Sequence, residues 1–413
     1  MKILWFSNIS IDESDIKGTG TWIYSLAHAI LDSTNYEIAN VTFSADESIS
    51  CRKINNITEW KVPQINLLKI RNSDLNNLSD KYAEIIKTYN PDVIHIWGVE
   101  SSHAKVISIC CKDSKNVLLE IQGLIGRIAP FVDGGLSLFD QFKCIGLREI
   151  LRSVTLFQFK IKFFQCGMIE NNLIQQFKYI CAPSLWMENH VKFYNSEALV
   201  FQNHLLLRSE YYSANKWDYS GSPVIICSSG YPAAFKGIHD LVKATHILKA
   251  KGINIRLRII GNFNSKGIKG DGYSKYLKNL ILDLGLLDSV EFLGPLNSSD
   301  YISAMLNSSV MVFPSYVESY GVAFAEAMYV GVPTICAYNG GSSFLGIDNQ
   351  TTLFFEAGDF QWCSQLIENI IGDKLLREKL SKNAIEIAEA RHSIKKIIDK
   401  QISIYENIIF KQS

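Results

Sequence analysis

Short β-branched runs alternate with amphipathic stretches along most of the 413-residue chain, and the alternation starts afresh near Gly221. A strand followed by a helix is the unit of a parallel sheet, because parallel neighbours can be joined only by a crossover long enough to hold a helix. In the first half the expected strands are 2–6, 41–43, 92–96, 117–121 and 179–182. Between the first two, Trp22, Ile23, Leu26, Ala27, Ile30 and Leu31 recur at helical spacing. In the second half the strands are expected at 224–227, 256–260, 290–293, 310–313 and 334–336. Periodicity lapses between 205 and 223, where Asn, Ser, Gly and Pro collect. The expected fold class is therefore α/β with two doubly wound parallel-sheet domains, 1–205 and 206–393. A final apolar-striped helix, about 394–413, is expected to pack back on the first domain.

Lys+Arg and Asp+Glu balance at 41 each, which argues against a dedicated nucleic-acid binder. The opening MKILWFSNIS reads as a first strand rather than a signal peptide, and no apolar run approaches the length of a membrane span. The nine cysteines have no C-x-x-C spacing, and no His, Cys and Asp cluster suggests a metal. His95, inside VIHIW, is expected to be a satisfied core histidine, and His239, His246 and His392 are expected on helix surfaces. Residues 127–177 break the alternation. They are dense in Phe and Leu and carry Lys143, Arg148, Arg152, Lys160 and Lys162. Such a segment either lies on an anionic membrane through residues 140–165 or belongs to long helices of a large α/β domain.

One helix-like run asks for a ligand. In PSYVESYGVAFAEAMYVGVP, 314–333, Glu326 is the only charge among apolar residues, and Glu318 stands eight positions before it. An unpartnered buried carboxylate costs several kcal/mol, roughly. The vicinal hydroxyls of a ribose would supply two charge-assisted hydrogen bonds to Glu326, and a lysine or the amides of a neighbouring loop would serve as well. The stretch follows a strand ending at Pro314, so 315–321 should lie at the ligand side of the sheet, with the amides of Tyr320 to Val322 as donors.

With its surroundings, this stretch resembles the E-x7-E signature of the retaining nucleotide-sugar glycosyltransferases of family 4, which have the GT-B fold, two Rossmann-like domains facing a central cleft. SSGYPAAFKGIHDLVKATHIL (228–248), RLRIIGNFN (256–264) and VEFLGPLNSSDY (290–301) match the family's order strongly. MKILWFSN, GTGTWIYSLA (18–27), PDVIHIWG (91–98) and LLEIQGL (118–124) match it loosely. The resemblance implies that Glu326 holds the donor ribose, that Glu318 with Ser319, Tyr320, Gly321 and Val322 orients the transferred sugar, and that Lys236 grips the diphosphate. It also places Gly230, Tyr231, Gly261 and Asn262 at the donor, Gly18, Thr19 and Gly20 at the diphosphate or acceptor, and Gln122 and Arg127 on the acceptor side in the first domain.

Two positions depart from the family. Tyr231 stands where an arginine usually follows the glycine, so one diphosphate cation is missing from its expected place. Gln122 stands where histidine is common and cannot titrate. With no Asp-x-Asp pair, Lys236 and helix amides are expected to replace a divalent ion, and no cofactor is expected beyond a UDP- or GDP-sugar substrate. The expected activity is metal-independent, retaining transfer of a hexosyl group to a carbohydrate or lipid-linked acceptor. The expected setting is cytoplasmic, in cell-surface polysaccharide or glycolipid assembly, with the inner membrane face as one location. Two alternatives stand beside it: a catalytically inactive nucleotide-sugar-binding subunit, favoured by Tyr231, and an NAD-dependent oxidoreductase. The latter is disfavoured because eleven residues separate Phe6 from Gly18.

Overall fold

The structure is a computed structural model that describes residues 1–11, 21–46, 48–54, 57–65, 68, 72–112, 114–219, 221–228, 231–267 and 270–410. The chain forms two compact units. Unit 1 comprises Met1–Gly126, Phe164–Arg208 and His392–Ser413, and unit 2 comprises Arg127–Phe163 and Ser209–Arg391. This differs from the expected division at 205. Residues 127–163, read as part of the first domain, pack with unit 2, and Arg127 goes with them as an exposed residue.

In unit 1 the strands are β1 (Lys2–Phe6), β2 (Glu37–Ser44), β3 (Ser50–Ile54), β4 (Ile57–Pro63), β5 (Val93–Trp97), β6 (Val117–Glu120), β7 (Tyr179–Cys181) and β8 (Leu199–Phe201). They form one sheet in the order β3-β4-β2-β1-β5-β6-β7-β8, parallel except for the antiparallel β3 edge. The apolar runs at β1 and β5 are buried on both faces, as a covered parallel sheet requires. β3 and β4 escape apolar patterning because their chemistry is polar. Glu59 on β4 is fully buried, held by Arg52 at 2.8 Å and the Ile11 amide at 2.7 Å.

The last helix, Ile394–Phe410, packs on unit 1 through Ile397, Ile398, Ile404, Tyr405 and Ile408. The Tyr405 hydroxyl lies 2.8 Å from His95 Nδ1 and accepts from Trp5 Nε1 at 3.1 Å, so His95 is a partnered core residue.

Unit 2 carries β9 (Val224–Ser228), β10 (Arg256–Ile260), β11 (Val290–Gly294), β12 (Val310–Phe313), β13 (Thr334–Ala337) and β14 (Leu353–Phe355), all parallel, in the order β11-β10-β9-β12-β13-β14. The winding direction reverses between β9 and β12. In open parallel sheets the crevice at such a reversal, outside the carboxyl ends of the strands, is where ligands bind. The loops leaving β9 and β12 carry Lys236 and Glu318.

Two histidines expected on helix surfaces, His239 and His392, are buried instead. His392 Nδ1 lies 2.9 Å from the Leu205 carbonyl. His239 Nε2 donates to the Gly134 carbonyl at 3.0 Å, and its Nδ1 lies 2.9 Å from the Tyr273 hydroxyl. A carbonyl can only accept, so Nε2 carries a proton, and burial lowers the pKa of the ring, which favours its neutral form. This contact fastens the 127–163 segment to unit 2. Gly134 and Gly135 allow it, with φ of 58° and 69°, and a Cβ on Gly134 would come within 2.1 Å of the Ala234 carbonyl oxygen.

His103 in unit 1 is arranged alike, between Tyr82 at 2.7 Å and the Ser7 carbonyl at 3.1 Å, and burial pushes its pKa down to about 3. The unfolded imidazole titrates near about 6.5, so the unfolded chain binds more protons below that pH. The neutral ring's contribution is present above pH 7 and lost as pH falls, by about 2 kcal/mol at pH 5. Denaturant titrations at pH 7 and pH 5 should show this loss, and His103→Gln should make unit 1 less stable at pH 7 but shrink the difference between the two pH values.

Candidate functional site

Pro314 ends β12, and the chain then runs extended through Glu318 before the helix Val322–Val330. Glu318 is fixed from its backbone. Its amide donates to the Asn339 carbonyl and its own carbonyl accepts from the Gly341 amide, each at 2.7 Å, so the loop after β13 pairs with it as a short parallel bridge. The two consecutive glycines permit this approach, since a Cβ on Gly341 would come within 1.7 Å of the Ser319 carbonyl oxygen. Asn339, Gly340, Gly341 and Ser342 are site-shaping residues the sequence reading missed. The glycine pair just past a strand end was the available signal.

The glutamate side chain meets Lys236 Nζ at 2.6 Å. Lys236 arrives from the other side of the reversal point, on the turn Ala234–Lys236 that precedes the helix Ile238–Ala250. Gly237 makes the corner at φ 68°, its Cα facing the Pro314 carbonyl so closely that a Cβ would lie 2.0 Å from that oxygen. Both charged side chains are about four-fifths covered, at 19% and 23% exposure. Burial alone would lower the Lys236 pKa, but the charge and hydrogen bond of Glu318 outweigh it and hold the ammonium above its ordinary value. The ammonium also lies 5.4 Å from the Phe235 ring centroid.

Glu326 is 3% exposed in the helix Val322–Val330, whose neighbouring residues are apolar. Gly321 starts that helix at φ 90°, and its carbonyl receives the amides of Phe324 and Ala325. The Val322 and Ala323 amides have no partner among the described residues. Ser319 and Tyr320 precede them, half-buried and buried. Gly261 ends β10 at φ 142°, and Asn262 beyond it is exposed. Tyr231 is half-exposed on the loop leading to Lys236.

Thus unit 2 brings Lys236 and Glu318 together beside the start of the helix that carries Glu326. Gly18, Thr19, Gly20 and Gly230 lie outside the described residues. Gln122 belongs to unit 1, half-buried just past β6. Beneath that loop sits another residue the sequence reading missed, Glu170, whose carboxyl accepts from the Ile125 amide at 2.7 Å and the Gly126 amide at 3.4 Å. Burial, with Glu100 nearby, pushes its pKa up to about 8 against the two amides.

Residues 213–387 match the family model described as glycosyl transferases group 1. The second unit is a group 1 glycosyltransferase domain. CapM, a capsular polysaccharide biosynthesis glycosyltransferase of Staphylococcus aureus, is 25% identical over 380 residues, covering 85% of this chain and 94% of that protein. A D-inositol 3-phosphate glycosyltransferase of Corynebacterium aurimucosum is 26% identical over 167 residues, 40% of this chain and 39% of its own. Among solved structures, sucrose-phosphate synthase from Thermosynechococcus elongatus superposes with a TM-score of 0.72 at 18% identity over the whole of both chains. Anabaena HepE in complex with UDP and glucose superposes at 0.67, with 18% identity and 98% of each chain covered. The fold of this glycosyltransferase is GT-B.

The geometry at Gly321 is testable by itself. A Cβ there would stand 2.2 Å from Ser342 Oγ on a backbone with positive φ. Gly321→Ala should destabilise the glycosyltransferase by about 1–3 kcal/mol. Adding Ser342→Gly should return the steric part of that loss but not the part due to φ, as a double-mutant cycle by chemical denaturation would report.

Proposed function

We propose that this glycosyltransferase moves a sugar, with retention at the anomeric carbon, from a nucleotide-diphosphate-sugar to a carbohydrate or lipid-linked acceptor. The observation that carries the reading is the Lys236–Glu318 pair at the winding reversal of unit 2. A diphosphate reaching Lys236 competes with Glu318 for the ammonium. The carboxylate so released is free to accept hydrogen bonds from the hydroxyls of the sugar attached to that diphosphate. The open amides of Val322 and Ala323 add donors at the same place. Glu326, buried one turn further along, fits the ribose hydroxyls. Anabaena HepE, whose structures hold UDP and UDP-glucose, supports a uridine donor, and the S. aureus capsular enzyme supports a role in polysaccharide assembly.

The chemistry asked of these residues is electrostatic. The bond from the anomeric carbon to the diphosphate oxygen breaks with its electron pair remaining on the phosphate, and Lys236 stabilises the charge that grows there. In the route we favour, the acceptor hydroxyl forms its new bond on the same face, and its proton passes to the departing phosphate oxygen. Glu318 and Gln122 then position rather than react. Lys236 and the helix amides supply the positive potential that a divalent ion would otherwise bring. Residues 140–165 fit an anionic membrane surface, since the helices Leu138–Lys143 and Leu147–Arg152 leave Phe139 and Leu151 at 70% and 72% exposure beside basic residues. A non-catalytic nucleotide-sugar-binding subunit remains the second reading, favoured by Tyr231 in place of an arginine.

A thermal-shift panel of UDP-, GDP-, ADP- and dTDP-sugars identifies the donor. With that donor, turnover above background separates enzyme from binding subunit. Lys236→Ala should lower kcat by about 10²–10³-fold, with Lys236→Arg recovering part of it. Proton NMR of the fresh product should show the donor's anomeric configuration, and an inverted product contradicts the proposal.

A further inference from the structure

Unit 2 contains a cavity of about 310 Å³ that shares only Tyr231 with the candidate donor residues. One wall is the loop Tyr231–Phe235 that ends at Lys236, and a second is the start of the helix Gly272–Asp283. The rest comes from the 127–163 segment. It is a built feature, because the segment is seated on unit 2 at two close backbone approaches. Gly134 meets Ala234, and Cys144 meets Gly272, where a Cβ would lie 1.6 Å from the Cys144 carbonyl oxygen.

The lining has two characters. Val132, Val154, Leu156, Phe159 and Phe163 with Phe235 form an apolar trough, and Phe159 is exposed, so the trough reaches solvent. Beside it stand Arg148 and Arg152. Two acids also line the cavity, and both are engaged. Glu149 accepts from Arg148 at 2.9 Å and from the Gly146 amide at 3.1 Å, and Asp271 caps its helix through Ser274. Lys143 and Lys160 are paired with Asp140 and Asp133, and Lys162 donates to the Ser153 carbonyl. Arg152 has no ion pair among the described residues. Its guanidinium is therefore the charge available to a ligand, and guanidinium is the side chain suited to phosphate oxygens.

We infer that this cavity holds an amphiphile with a phosphate or diphosphate joined to an apolar chain: the chain in the aromatic trough, the anionic head at Arg152, beside the Arg148–Glu149 pair. The Tyr231–Phe235 wall runs on in sequence to Lys236, and we assign a ligand whose phosphate also carries a sugar as the lipid-linked acceptor, that sugar supplying the hydroxyl. Only that assignment rests on the transfer reading; the binding does not. The site lies in the nucleotide-binding unit rather than in unit 1, where the acceptor was expected. The exposed apolar helices 138–152 around it suit a ligand drawn from a lipid layer.

Isothermal titration of the whole chain with dodecyl phosphate, below its micellar concentration, tests this. Inorganic phosphate and dodecyl maltoside serve as the head-only and chain-only controls. The proposal expects dodecyl phosphate to bind at least about tenfold more tightly than either control, as a charge-assisted contact added to an apolar one should. Arg152→Glu, at an exposed position that does not threaten folding, should cost about tenfold or more. Val154→Trp should block the trough while leaving UDP binding intact. Equal binding of the maltoside overturns the head-group assignment, and equal binding of inorganic phosphate overturns the chain. Indifference to Val154→Trp removes the ligand from this cavity. Loss of UDP affinity in Arg152→Glu, with dodecyl phosphate unaffected, would give the arginines to the donor instead. A chain that binds dodecyl phosphate as expected but never transfers sugar would fail the functional reading and leave this site standing.

Discussion

A lysine and a glutamate 2.6 Å apart, each mostly covered, sit where the sheet of unit 2 changes its winding direction. Two opposite charges so placed are stable only as a pair, because removing either leaves the other poorly solvated. The surrounding backbone is shaped to hold them there. Gly237 turns the Lys236 loop against Pro314, while Gly340 and Gly341 let the loop after β13 clamp the Glu318 backbone. Gly321 then starts the helix that carries Glu326. Three loops, after β9, β12 and β13, thus converge through positions that a side chain would obstruct. Backbone contacts fix the pair in advance, which is what electrostatic stabilisation of a leaving phosphate asks of a protein.

The 127–163 segment extends this logic. It leaves the first unit in sequence but is anchored on the second by a buried histidine and by glycines that touch backbone. That anchoring gives the Lys236 loop a second wall, and the cavity follows from it. A segment dense in Phe and Leu, with arginines spaced among them, satisfies two demands together: part of its apolar surface lines a trough, and the remainder stays exposed.

Much of the fold was legible because covered parallel strands are written as short apolar runs. Strands β1, β10 and β12 and the helix Ile394–Phe410 lie where periodicity places them. β3, β4, β8 and β14 were not found, since β3 is polar, β4 hides a buried glutamate, and β8 and β14 are edge strands of only three residues. Glu326 stood out as a charge in an apolar run, and Lys236 and Glu318 by likeness to a known signature, but the ion pair between those two was in neither. His239 was not legible, because a helix-surface pattern cannot reveal that a distant glycine turn will cover one face. For the same reason the allegiance of residues 127–163 was hidden. Which sheet a segment packs on is decided by a few tertiary contacts, not by its own periodicity.

The account turns on Glu318 and a diphosphate sharing one ammonium, and equilibrium binding to the Glu318→Gln variant tests this most directly. UDP, which lacks a sugar, should bind more tightly than to the parent chain, because Lys236 no longer has to leave a carboxylate. The UDP-sugar should bind more weakly, because its hydroxyls lose their charged acceptor. Weakening of both ligands by the same factor, or no change in either, would contradict the account.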